Sequence, residues 1–190
     1  MVTIDPRRIQ KDEGGAAMVE AAIAMTLLLT LTLGFVDFGY ALYQWNAAAK
    51  AVQVGARTAM VSSPAMAAVS SAITSPTDPL LVGTTVPAGT YSYECTGTSG
   101  CTDQPSFNLI YNRMVTFFPR LQPQNVRITY AATGLGYWTR PGGPVPTITV
   151  SLEGLTFQFF FLGGLLGFDD ITIPSMRSTV TGEDLKSSYP

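Results

Sequence analysis

The feature that most constrains this chain is the stretch from residue 16 to residue 63, which holds no proline. Its first part, residues 16–36, is mostly apolar and includes Leu27, Leu28, Leu29, Leu31, Leu33 and Phe35. Twenty-one residues at about 1.5 Å each cover a bilayer core as a helix. Glu20, Thr26, Thr30 and Thr32 interrupt the run, so its hydropathy is moderate for a span. Composition agrees. Charged residues make up 13% of the chain, about half the usual soluble share. Mean hydropathy is +0.24. Arg7, Arg8 and Lys11 precede the run, and only Lys50 and Arg57 follow it before residue 62. The bias of basic residues puts the N-terminus in the cytoplasm and the remainder outside.

The helical pattern continues beyond the span. Phe38, Ala41, Leu42, Trp45, Ala49, Val52, Ala56, Ala59 and Met60 recur at three- and four-residue steps and predict one amphipathic helix face. Ser62-Ser63-Pro64 ends the helix, because the residue before a proline is driven out of the helical region. A short second helix is expected over 64–73, with Ser63 as its N-cap, and a loop over 75–79.

After residue 90 the period changes to two. Tyr91, Tyr93 and Cys95 alternate with polar residues, as do Val126, Ile128 and Tyr130, and Ile148, Val150 and Leu152. These read as strands of a sheet with one wet face. Phe107, Ile110, Tyr111, Met114, Val115 and Phe118 have helical spacing, closed by Pro119. At Gly154 the apolar phase slips by one residue, to Leu155, Phe157 and Phe159, which predicts a bend or bulge. Ile171 and Ile173 open a last strand that Pro174 interrupts and that resumes near Arg177. The run 155–168 is too short to span a bilayer. It reads best as a core strand with a loop, and otherwise as a surface patch for a partner or a membrane.

The expected architecture is therefore α+β: a leader over 1–15, a transmembrane helix over 16–36, a stalk helix over 37–62, and an exported antiparallel-sheet domain over 63–190. Cys95 and Cys101 are the only cysteines and flank small, turn-forming residues. They can close a disulfide or remain free thiols, and export to an oxidising compartment favours the bridge.

Catalytic chemistry is poorly provided for. The chain has no histidine, no phosphate-binding loop with lysine, no nucleophile elbow and no paired-cysteine zinc pattern. Asp169-Asp170 reads as a turn rather than an acid–base pair, since neighbours on a strand face opposite ways. A net charge of −2 gives no field for nucleic acid. No cofactor, metal or enzymatic activity is expected.

Gly15-Ala16-Ala17-Met18-Val19-Glu20, after a polar basic leader and before an apolar helix, resembles the processing site of type IV pilins and pseudopilins. That resemblance implies cleavage by a prepilin peptidase between Gly15 and Ala16, leaving Glu20 as the fifth mature residue. The new amine at Ala16 and the Glu20 carboxylate would pair between packed helices and offset each other's desolvation.

Gly34-Phe35-Val36-Asp37-Phe38-Gly39 and Val54-Gly55-Ala56-Arg57-Thr58-Ala59 are similar to the TadE-like family, with Asp37, Gly39 and Arg57 at its motif positions. The order of the C-terminal segments resembles that family too, although Phe159-Phe160-Phe161 stands where its members carry a proline. The resemblance implies a non-catalytic minor pilin or pseudopilin of a tight-adherence (Flp-type) pilus, in the bacterial inner membrane as a single-pass protein or within the filament. Its implied partners are other pilins, the prepilin peptidase, the inner-membrane assembly platform and lipid. Two other readings remain. One is a type II secretion pseudopilin, which Ala16 disfavours because those proteins often have phenylalanine first. The other is an exported binding protein with an ordinary signal sequence cut near Gly39-Tyr40-Ala41.

Overall fold

A computed structural model describes residues 13–69, 82–97, 99–138, 145–167, 169–183 and 185. One helix, α1, runs without interruption from Glu13 to Val61. Strand β1 is Ser92–Thr96, helix α2 is Gln104–Val115, and a 3-10 turn at Pro123–Asn125 leads into β2, Val126–Ala131. Then come β3 (Thr147–Leu152), β4 (Thr156–Phe157), α3 (Phe161–Leu166), β5 (Ile171–Thr172) and β6 (Met176–Thr181). This is the expected α+β arrangement. Of the described residues, 13–42 and 158–170 form one compact unit, and the others form a second.

In the second unit, β1, β2, β3 and β6 make an antiparallel sheet in that order. The register places Cys95, Ile128, Val150 and Ser178 in one row across the sheet. Val126, Ile128, Tyr130, Ile148, Val150 and Leu152 are buried on that face, as their alternation predicts. The opposite face is polar. Arg127 sits there between Glu94, which it contacts closely, and Glu153 at 2.9 Å.

Helix α2 begins where Asp103 accepts the Ser106 N–H and ends before Pro119, burying Phe107, Ile110 and Met114. The C-terminal half of α1 supplies the remaining wall. Its inward stripe is Gln44, Ala48, Ala51, Val52, Gly55, Ala56 and Ala59, and Ser62 just past its end is also buried. Val52, Ala56 and Ala59 are buried as expected, but Leu42 and Trp45 face outward. Small residues win the inward face because they let the helix approach the core closely. A Cβ placed on Gly55 would lie 2.6 Å from Met114 Sδ. Tyr130 reaches the segment after α1, where its hydroxyl accepts the Ala65 N–H at 3.2 Å.

The second helix expected over 64–73 is met only in part among the described residues. Residues 63–66 are non-helical and 67–69 are helical, while 70–73 and the loop at 75–79 lie outside the described residues. The Ala67 N–H is satisfied by the Thr102 hydroxyl at 2.9 Å, which holds the segment against the loop before α2.

Gly154 has a left-handed φ of 65° and turns the chain out of the large sheet. Strand β4 then pairs with β5 in a separate two-stranded ribbon, and Pro174 separates β5 from β6. The core strand expected in the apolar run is present but short, and a helix stands where a loop is expected. Leu155 and Phe157 are buried, but Phe159 lies outside any strand and Gly163-Gly164 are inside a helix.

Candidate membrane anchor and its capping aspartate

The N-terminal part of α1 makes no core. Every residue from Gly15 to Leu29 is exposed. An 18-residue window has a mean hydropathy of 2.0 and none of it is buried. A core helix of a soluble domain would be covered, so this segment has the length and surface of a membrane anchor.

The three threonines that lower its hydropathy cost less than their hydroxyls suggest. Thr26 and Thr30 donate back to the Ala22 and Thr26 carbonyls at 2.8 Å, and Thr32 to the Leu29 carbonyl at 2.9 Å. Each hydroxyl is satisfied within its own helix, as a lipid environment requires. Glu20 is exposed on this segment, four residues after Ala16 and so on the same helix face. It makes no ion pair with the described residues.

Asp37 ends the apolar run, and its placement differs from that of an ordinary helix-surface charge. It is 1% exposed. Its Oδ2 accepts the Phe161 N–H at 3.0 Å and the Leu162 N–H at 2.9 Å. A carboxylate from α1 therefore caps α3 across more than a hundred residues of sequence. Phe160, the residue that would otherwise cap α3, offers no side-chain acceptor. Two amides that the start of α3 would otherwise leave without acceptors are satisfied by one oxygen of this buried side chain.

Around this cap, Phe38 meets Phe159 edge-on at 5.9 Å and Tyr40 meets Phe160 at 5.8 Å. A Cβ on Gly34 would meet the Leu162 side chain at 3.6 Å. Gly39 faces open space.

Of the remaining residues singled out in the sequence, Arg57 is exposed on α1. Cys95 and Cys101 form a disulfide that closes the turn after β1. Asp169 and Asp170 are exposed, and Asp170 accepts from Gln158 Nε2 at 3.3 Å. Among the described residues no acidic, histidine or cysteine side chains cluster in a way that could hold a metal ion. Sequence reasoning reached Asp37 only as a motif position. Its partners are two backbone amides far along the chain, which no local pattern announces.

A family model described as TadE-like protein matches residues 15–57. The match covers less than half of the chain and lies wholly on α1, from the glycine before Ala16 to Arg57. It agrees with the resemblance carried by the helix motifs, and it supports a pilin-like role associated with a tight-adherence pilus. No curated protein and no solved structure matches the chain.

Proposed function

We propose that this chain is a TadE-like minor pilin or pseudopilin, a non-catalytic component for assembly of a tight-adherence pilus. Residues 16–36 anchor it in the bacterial inner membrane, with the leader in the cytoplasm and the sheet domain outside. A prepilin peptidase cuts between Gly15 and Ala16. The amine so formed and the Glu20 carboxylate then pair with those of neighbouring pilin helices and fix their register as subunits are drawn from the membrane. Its partners are those other pilins, the peptidase, the assembly platform and lipid.

The observation that carries this reading is the single helix from Glu13 to Val61, bare over its first half and packed over its second. A pilin needs one rod to serve as both membrane anchor and domain scaffold, and the family match falls on that rod. An ordinary signal sequence would be cut near Gly39-Tyr40-Ala41, inside the helix and next to the buried Asp37 cap. A cut there would remove Asp37 from α3, so the continuous rod supports the uncut reading of this segment.

The test replaces the native gene in its bacterium with one encoding Gly15→Leu. The expected result is an uncut protein in the membrane fraction and loss of filaments from the sheared fraction. Normal filaments, or loss of type II secretion with filaments intact, would contradict the assignment.

A further inference from the structure

We propose that residues 158–167 are an interfacial foot, lying in the boundary between headgroups and acyl chains of the same bilayer that α1 crosses. This rests on the anchor reading above and adds a second, non-spanning contact with lipid.

The segment has the composition for it. Phe159, Phe160 and all six residues of α3, Phe161–Leu166, are apolar or glycine. Burial in the protein does not account for Phe160, Phe161 and Leu166. Phe160 is 59% exposed, Phe161 43% and Leu166 55%. The backbone is prepared for a poorly hydrated place. Asp37 takes the first two N–H groups of α3, and the Gly167 N–H, in left-handed conformation, closes back on the Gly163 carbonyl at 3.0 Å. An amide left without an acceptor there would oppose the helix leaving water.

The position follows from the attachment. Residues 16–36 give a helical length of about 31 Å, close to a hydrocarbon core. Asp37 is the next residue, and it is the one that holds α3. The foot is thus fixed at the outer end of the span, where Phe35 and Phe38 of α1 are also exposed. Phenylalanine and leucine form the apolar face of helices that lie at this depth. Polar residues bracket the segment: Gln158 before it, and Asp169 and Asp170 after it, with Gln158 and Asp170 bonded to each other. An apolar tip with a polar base suits a lipid interface. A protein partner would not require the patch to continue the exposed apolar surface of the anchor itself.

The test uses the full chain in vesicles of phosphatidylethanolamine and phosphatidylglycerol. Cys95 and Cys101 are bridged, so a single added cysteine takes a nitroxide label. Labels are placed in turn at Phe160→Cys, Leu166→Cys, Phe35→Cys and Leu109→Cys. Collision with lipid-soluble oxygen is compared with collision by an aqueous nickel chelate. The foot predicts that Phe160→Cys and Leu166→Cys favour oxygen several-fold more than Leu109→Cys, an exposed apolar site on α2. If Phe35→Cys is lipid-exposed but both foot positions meet the aqueous reagent, the foot is wrong and the anchor stands. If Phe35→Cys also meets the aqueous reagent, the anchor reading fails. Equal oxygen preference at Leu109→Cys would overturn the foot as a specific contact.

Discussion

Gly55→Ala separates helix propensity from packing, and the structure sets the sign. On an exposed helix, glycine to alanine stabilises by about 1 kcal/mol. Here the added methyl would lie 2.6 Å from Met114 Sδ, 2.8 Å from Cγ and 3.3 Å from Cε, against 3.4–4 Å for ordinary contact. Met114 is fully buried on α2, so its side chain has packed neighbours on every side when it shifts. Overpacking of this kind costs about 1–3 kcal/mol. The sum is a net loss of about 1 kcal/mol, or roughly 2–4 °C in Tm for a chain of this size.

A double-mutant cycle makes the argument strict. Met114→Ala alone should cost about 2–5 kcal/mol through the cavity it leaves. In that background Gly55→Ala should become stabilising by about 1 kcal/mol, because the clash is gone and only propensity remains. The assay is thermal and urea unfolding of the full chain in detergent micelles, followed by near-ultraviolet circular dichroism. If Gly55→Ala stabilises equally in both backgrounds, the two side chains do not share space and the packing of α1 on α2 is wrong.

Other outcomes follow from the same structure. Asp37→Ala should leave two amides of α3 without acceptors and weaken that helix by about 2–4 kcal/mol, seen as faster hydrogen exchange at Phe161 and Leu162, with Asp37→Asn milder. Reducing the Cys95–Cys101 bridge, whose sequence separation is 6, should cost about 2 kcal/mol by loop-closure entropy and lower Tm accordingly. Burial pushes the Tyr130 and Tyr91 hydroxyls up to about 12 from an ordinary 10.0. Their neutral forms therefore favour the fold below pH 10, where folded and unfolded chains are both protonated. That contribution is lost as pH rises from 10 toward 12, because only the unfolded chain ionises readily in that window. Stability should fall there, and two of the eight tyrosines should ionise late in an absorbance titration.

Much of this architecture was legible because its signals are local. The absence of proline and the three-to-four spacing mark α1, the alternation at 126–130 and 148–152 marks the sheet, and Phe107 to Phe118 marks α2. The phase of the stalk stripe is only partly legible. Leu42 and Trp45 are more apolar than Gln44 and Ala48, yet close approach to the core selects small side chains. The run after Gly154 was harder still. Its composition suits a core strand, but the glycines and the cap from Asp37 make it a helix with exposed aromatics. That cap joins residues far apart in the chain through backbone atoms, which leave no trace in side-chain pattern.

The central claim is that Gly15–Ala16 is a processing site at the head of a membrane anchor. It is tested most directly by intact mass and N-terminal sequencing of the protein recovered from cell membranes. The account predicts a mature chain beginning at Ala16, and an uncut chain for Gly15→Leu. A chain beginning after Ala41, or one that keeps residues 1–15 in cells with an active prepilin peptidase, would contradict it.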